Sequence, residues 1–397
     1  MKLACVIHRF GRDVAGGSEA HCRAIAERLA ARHAVSVLTT TARDHVTWAE
    51  AYPAGESSDG RLRVHRFPVA RQRSLARFFE SSEVAFGGAA SEAEQVQWFR
   101  ENGPETPALV EHLEAHGGEY DRVLFWSYRY YQTFFGLPSV AARAVLVPTA
   151  EDDPAIRLDV LDEFFSLPSG YVFLTPEEQA LVARRCSQPL APSCIVGTGL
   201  EPPPATVGSL ESVGVTTPYV LYLGRVDPNK GCETLFRHFL RLQDDTVPDA
   251  ARVPLVLAGP VNMPVPDHPM VRSLGYVADE PREALLAHAA VLVVPSPYES
   301  LSIALLEGWN HGVPALVNGR CRVLKGQALR SGGALFYRDF DEFAHALRFL
   351  LAHDADRREL GRQGRAYVDR EYRWPHVMDT LERFLASLPP VSVPPRR

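Results

Sequence analysis

The sequence predicts an α/β protein made of two doubly wound domains, each a parallel sheet with helices on both faces. Three observations predict it. At 397 residues the chain is long for one core and comfortable for two. Short apolar runs alternate with longer amphipathic stretches, the pattern of parallel strands joined by crossover helices. The alternation breaks once, at LEPPPATVGSLESVGVTTP (200–218), which holds four prolines and has no strong period, so it reads as a linker.

The first domain opens with KLACVIH, a buried strand. GGSEAHCRAIAERLAARH follows as a glycine turn and an amphipathic helix, with Ala20, Ile25, Ala26 and Leu29 on its apolar face. AVSVLTT and LRVHRF are the next strands. Residues 71–117 are polar and helical, with breaks at Gly87-Gly88 and Gly103-Pro104. DRVLFWS, AVLVPT, GYVFLT and CIVGTG then read as strands. The second series runs YVLYLG, a helix over 231–243, VPLVLAG, GYV, a helix over 281–289, VLVVPS, a helix over 302–311, PALVN, LFY, and helices from 339 onward. In the last stretch Trp374-Pro375 breaks the helix, and Val377, Leu381 and Leu385 recur at helical spacing. The domains are therefore expected at 1–199 and 200–374, with a terminal helix over about 375–390 packing back on the first. In such sheets ligands sit outside the carboxyl ends of the strands, so a cleft with the two domains facing each other is the expected site.

Composition narrows the partners. Net charge is -6, so no global positive field draws the chain to nucleic acid. The six cysteines show neither metal spacing nor a disulfide framework, as in a reducing, cytoplasmic setting. The opening MKLACVIHRF has too short an apolar run for a signal peptide, and no run approaches a membrane span.

Four loops follow predicted strands and carry chemistry. In FGRDVAGGSEAH, Gly16 and Gly17 would let backbone N–H groups approach an anion at a helix start; a plain glycine turn is the alternative. GRVDPNKG holds Gly224, Arg225 and Lys230, one of only three lysines among 42 basic residues. A guanidinium fork and a compact ammonium at a strand-to-helix junction suit a diphosphate; a solvated turn cornered on Asp227-Pro228 is the alternative. SPYESLSIALLEGW places Glu299 at the loop end and Glu307 in an apolar helical setting, where a carboxylate needs partners. Its amides over Ser300, Leu301, Ser302 and Ile303 would sit beside a phosphate. In VPTAEDDP, Asp153 reads as an N-cap ahead of Pro154, and Glu151 stays open as a group that orients a sugar hydroxyl or coordinates a cation.

Together, Glu299-x7-Glu307, GR…KG at 224–231 and the glycine pair at 16–17 resemble retaining GT-B glycosyltransferases of the Glu-x7-Glu type, also termed group 1 or family 4. The likeness extends to IVGTGLEP as the hinge and to the terminal YRWPHV helix. It implies two Rossmann-like domains, the first binding the acceptor and the second a nucleotide-sugar donor, UDP- or GDP-linked. Glu299 would contact the donor sugar and Glu307 the ribose hydroxyls. Arg225 and Lys230 would hold the diphosphate, helped by Gly17 and the amides of 300–303. The strand at Gly275, Tyr276 and Val277 would cup the base. The resemblance implies sugar transfer with retention, without cofactor or metal, to a glycan, lipid-linked or small-molecule hydroxyl.

Two departures stand out. Glu151 occupies the place where the family often has a histidine near the donor sugar. Leu301-Ser302 replaces the usual phenylalanine-glycine pair. A nucleotide-sugar epimerase on the same fold and a non-catalytic nucleotide-sugar binder therefore remain the competing readings. A nicotinamide dehydrogenase is remote without GxGxxG. The acceptor is expected around residues 71–135, where Trp126, Tyr128 and Tyr130 offer sugar-stacking faces or join the core. There Arg71, Arg73 and Arg77 beside Phe78-Phe79 offer peripheral contact with the cytoplasmic face of a membrane or form a solvated face.

Overall fold

The structure is a computed structural model that describes residues 1–14, 16–244 and 253–391. It divides into two compact units, Met1–Gly197 with Met378–Arg397, and Thr198–Val377.

The first unit runs β1 (Lys2–Val6), α1 (Gly17–Leu29), β2 (Ala34–Thr40), β3 (Gly55–Asp59), β4 (Leu62–Phe67), α2 (Leu75–Phe86), α3 (Glu92–Asn102), α4 (Pro107–His116), β5 (Arg122–Trp126), α5 (Tyr131–Gly136), β6 (Ala144–Val147), α6 (Val160–Phe164), β7 (Gly170–Phe173), α7 (Pro176–Ala183) and β8 (Ser193–Ile195). The sheet order is β3-β4-β2-β1-β5-β6-β7-β8. All pairs are parallel except β3 with β4. β5 and β6 are buried along their whole length, which explains their unbroken apolar runs. The core gathers Val123, Phe125, Leu146, Leu109 and Leu113, and Phe99 stacks on Phe134 with centroids 3.8 Å apart.

The second unit runs β9 (Val220–Leu223), α8 (Cys232–Asp244), β10 (Leu255–Ala258), β11 (Val271–Ser273), α9 (Asp279–His288), β12 (Val291–Val294), α10 (Ile303–Asn310), β13 (Ala315–Asn318), α11 (Arg322–Ser331), β14 (Ala334–Tyr337), α12 (Phe340–Ala352) and α13 (Asp354–Glu371); α14 (Trp374–Ser387) continues into the first unit. Its sheet is wholly parallel, in the order β11-β10-β9-β12-β13-β14. Helix α8 buries Leu235, Phe236, Phe239 and Leu242, and α12 buries Phe340, Phe343, Leu347 and Leu350, in one shared core. Trp309 of α10 donates its indole N–H to the Gly333 carbonyl at 2.8 Å, so a large buried ring keeps its polar atom satisfied.

Both sheets are doubly wound. In the first, β1 lies between β2 and β5; in the second, β9 lies between β10 and β12. Those are the points where the winding reverses and the loops splay apart, leaving a crevice at the strands' carboxyl ends.

Several sequence expectations are corrected. Ala20 is exposed, and Glu19 takes its place on the buried face of α1. The strand expected at 275–277 lies instead at Val271–Ser273, and Tyr276 sits on the following loop, 76% exposed. β3 was missed because its sequence, GESSD, is an edge strand with mostly exposed side chains and no apolar alternation. Trp126 and Tyr128 are fully buried, so they serve the core rather than a stacking surface. Arg71 pairs with Glu101 and Glu105, Arg77 pairs with Glu101, and Arg73 donates to the Asn102 carbonyl and covers Trp48. Those arginines hold the unit together and do not form an uncommitted basic face. Among the described residues, no helix is long and apolar enough to cross a membrane.

One buried junction yields a pH prediction. His21 on α1 hydrogen-bonds the Gly197 carbonyl through Nε2 at 2.8 Å and accepts the Trp126 indole N–H at Nδ1, 3.0 Å. Burial lowers its pKa from 6.5 to about 4, with the Gly197 carbonyl opposing. The folded pKa lies below the unfolded one, so this contribution is complete above about pH 6.5 and is lost as pH falls toward about 4. Denaturant titrations across that window should show wild-type stability falling by up to about 3 kcal/mol. His21→Gln should flatten this part of the slope.

Candidate functional site

In the second unit, the residues after β9 and β12 form one wall. Asp227 caps a short turn over Pro228–Lys230, its carboxylate accepting from the Asn229 N–H at 2.9 Å. Gly231 ends the turn at φ 75. A Cβ there would come within 2.4 Å of the Pro295 carbonyl oxygen, at the end of β12. Only glycine allows both the left-handed backbone and this approach. The turn thereby carries Lys230 to the β12 loop, where its Nζ lies 2.9 Å from Glu299 Oε1. Both partners are partly shielded, with side chains 29% and 11% exposed.

Arg225 follows β9 through Gly224, whose φ is 143. Tyr222 donates its hydroxyl to the Arg225 carbonyl at 2.6 Å, fixing the backbone, while the guanidinium stays half-exposed 3.6 Å from Asp227. Leu301 and Ser302 are buried, and Ser302 caps α10, its hydroxyl accepting from the Leu305 N–H at 3.4 Å. Ser302 thus does a capping job that glycine could not.

Glu307 lies on α10, one turn and a half inside, and carries a partner that the sequence reading missed. Arg282, in the first turns of α9, contacts its Oε1. Burial, only partly offset by Arg282, leaves the Glu307 carboxyl above its usual range. Beside them, His311 Nε2 meets Glu283 Oε2 at 2.8 Å. A cleft of about 250 Å³ opens here, lined by Glu201, Pro203, Glu283, Glu307, Asn310 and His311 among others.

The first unit has its own cluster at the carboxyl ends of β1, β5 and β6. Gly16 and Gly17 are exposed at the start of α1. A Cβ on Gly16 would meet the Glu19 carboxylate at 2.2 Å, so the glycine also makes room for a buried acid. Glu19 bonds His8 Nε2 at 3.0 Å and contacts Arg9. Burial opposes its ionisation, yet His8 and Arg9 outweigh that and hold the carboxyl well below the usual range. Burial pushes the His8 pKa down, with Glu19 opposing, and its ring stacks on Tyr130 with centroids 3.7 Å apart.

Glu151 lies 3.7 Å from Arg129, which also holds Asp153 at 2.8 Å. Asp153 accepts the N–H of Ala155 and of Ile156, with Pro154 at the first helical position, so it is an N-cap as expected, and an ion-pair partner besides. Nearby Ser127 and Thr149 have φ of 63 and 48, conformations that side-chain-bearing residues adopt at a cost. Glu178 is fully buried and accepts the N–H of Ala150 at 2.6 Å and of Leu174 at 2.7 Å, tying the ends of β6 and β7. Burial pushes its carboxyl up to about 8, against those backbone donors.

His8, Arg9, Glu19, Arg129, Glu178 and Arg282 were not legible as site residues. A signal existed for Glu19, an acid in the first turn after a glycine pair. The other partners lie far apart in sequence. Among the described residues, no group of three or more His, Cys, Asp or Glu side chains converges to hold a metal ion.

The Lys230–Glu299 pair is partly solvated, so it contributes only about 0–1 kcal/mol to folding. Lys230→Ala should therefore leave the thermal midpoint within about 2–4 °C of wild type in a melting scan. A larger drop would make the lysine a structural residue.

Comparison with known proteins adds family and fold. Residues 217–353 match the glycosyl transferases group 1 family. O-antigen chain mannosyltransferase B of Escherichia coli is 32% identical over 108 residues, 25% of this chain and 28% of that protein. The match thus spans little more than a quarter of that relative's length. HepE of Anabaena, solved with UDP and glucose, superposes with a TM-score of 0.68 at 14% identity, covering 98% of this chain and all of that one (100%). The α,α-trehalose 6-phosphate synthase of Burkholderia multivorans gives 0.69 at 15% identity, covering 97% and 96%. At such identities the superpositions show a shared fold, that of GT-B glycosyltransferases with two Rossmann-like domains. Within that fold, residues 217–353 are the part that matches the glycosyl transferases group 1 family.

Proposed function

We propose that this protein is a retaining glycosyltransferase that moves a hexose-type sugar from a nucleotide diphosphate sugar to an acceptor hydroxyl. The observation that carries this reading is the meeting of Lys230 and Glu299 at the β9/β12 switch point, inside the group 1 match. A lone cation there would suit any anion. A cation joined to a carboxylate suits a ligand with phosphate at one end and hydroxyls at the other.

In this reading Lys230 turns from Glu299 to the diphosphate. Arg225 adds a second, forked cation, and the N-terminus of α10, over Ser300 to Ile303, adds its dipole. These groups stabilise the negative charge that develops on the departing diphosphate. Glu299, released from the lysine, orients sugar hydroxyls. Glu307 takes the ribose hydroxyls, and the loop carrying Tyr276 and Val277 borders the base. Nothing in this donor set requires a metal, because the cations do that work. The donor is UDP- or GDP-linked. HepE, the fold relative above, was solved with UDP and glucose, which favours the first.

The first unit supplies the acceptor side, with Gly16 and Gly17 at an exposed helix start and Glu151 in the place of the family's histidine. A same-face reaction lets the leaving phosphate take the acceptor proton, so Glu151 need only orient a hydroxyl. The acceptor is a glycan, a lipid-linked sugar or a small molecule, met in the cytoplasm or at its membrane face. A non-catalytic nucleotide-sugar binder is the second reading, favoured by one observation: Glu151 is already engaged by Arg129.

A panel of nucleotide sugars without acceptor should reveal slow donor hydrolysis with one base and one sugar. Calorimetry should then show that Lys230→Ala weakens the matching nucleoside diphosphate by about tenfold or more, the loss of one charge-assisted contact. Tight nucleotide binding with no turnover on any acceptor would favour the binder. Unchanged affinity in the variant would return Lys230 to an ordinary turn.

A further inference from the structure

We propose that Arg282 is a positioning residue for Glu307, holding it as an oriented, charge-compensated acceptor for a vicinal diol. The inference rests on the reading of Glu307 as the ribose contact and concerns how that contact is kept competent.

The geometry is specific. Arg282 engages Oε1 of Glu307 through Nη2, and its Nη1 lies 3.4 Å from Glu283 Oε1. Glu283 in turn holds His311, which is nearly buried at the end of α10. Two successive residues of α9 thus grip α10 at Glu307 and at the residue just past its end. Arg282 and Glu307 keep side-chain exposures of 26% and 19%, so the pair is not freely solvated, and Glu307 lines the cleft.

The charges around Glu307 show why a cation is needed. Glu283 and Asp279 on α9 both raise the cost of ionising it. Glu201 lines the same cleft from the segment before β9. His311, from α10's end, is pushed toward its neutral form by burial, with Glu283 opposing. Arg282 is the cation in contact; it opposes burial and the neighbouring acids, which still leave the carboxyl above its usual range.

The chemistry follows from hydrogen-bond inventory. A vicinal diol offers two O–H donors. An ionised carboxylate accepts both, whereas a protonated one spends an oxygen on its own proton. Arg282 occupies Oε1 from one side and leaves Oε2 without a protein donor among the described residues. It therefore fixes the rotamer while leaving acceptor capacity toward the cleft. Without it, the half-buried carboxyl would protonate at higher pH, and recognition of the diol would fade as the solution is acidified.

The test compares UDP, 2′,3′-dideoxy-UDP and inorganic pyrophosphate by calorimetry from about pH 8 to about pH 5.5. The readout is the ratio of UDP to dideoxy-UDP affinity. In wild type it should exceed one at the high end. In Arg282→Gln it should match wild type within about threefold at the high end and fall about tenfold below wild type at the low end, the span of one pKa unit. Pyrophosphate affinity should not change, and Arg282→Lys should restore the wild-type profile. Arg282→Met, which keeps an aliphatic stem against the helices, is the second variant if glutamine disturbs folding. A ratio with the same pH course in wild type and in both neutral variants would overturn the role of Arg282 and leave the donor reading intact. No preference for UDP over the dideoxy compound in wild type would overturn both.

Discussion

The contact between Lys230 and Glu299 depends on strand order. β9 and β12 are parallel neighbours, and the chain leaves them in opposite directions, β9 toward β10 and β12 toward β13. Two loops 69 positions apart in sequence therefore end side by side with a gap between them. Gly231 closes the gap at the back by letting the first loop approach the Pro295 carbonyl. The sheet thus supplies the position, the glycine the distance, and the charged pair the chemistry. The same reversal beside β1 in the first unit gathers its own polar cluster at the strand ends.

A second regularity concerns how the acids near the strand ends are paired. Glu19 meets Arg9, Glu151 and Asp153 share Arg129, Glu307 meets Arg282, and Glu299 meets Lys230. Taking a carboxylate out of water is costly unless a cation compensates. Three of the four partners are arginines, which keep their charge when shielded and spread it over a planar fork. The exception is Lys230, in a chain that otherwise almost never uses lysine. A compact ammonium on a flexible stem can change partners, which suits a residue expected to move from Glu299 to a phosphate. The arginine pairs read as fixed scaffolding, and the lysine pair as the one built to open.

Much of this was legible in the sequence. Buried parallel strands such as RVLFW and AVLV are continuous apolar runs, while the chain passes from the first unit to the second at Gly197–Thr198, ahead of the proline-rich 200–218 stretch. The loops with chemistry could be placed because strand ends are readable and Gly, Asp-Pro and Lys punctuate them. What could not be read was pairing. Arg282 lies 25 positions from Glu307, and nothing local to either names the other. Arg129 and Glu151 present the same difficulty across two loops. The GESSD strand escaped because edge pairing satisfies backbone groups whatever the side chains are. Aromatic and β-branched residues such as Tyr276 and Val277 favour strand, but pairing with β10 ends at Ser273, three positions before Tyr276.

The claim that the β9/β12 switch point holds a donor diphosphate is most directly tested by a crystal structure with UDP or GDP bound. Phosphate oxygens are expected within hydrogen-bond distance of Lys230 Nζ and the Arg225 guanidinium, with the Lys230–Glu299 contact opened and the ribose hydroxyls on Glu307. A nucleotide bound elsewhere, or one that leaves the Lys230–Glu299 pair closed, would contradict it.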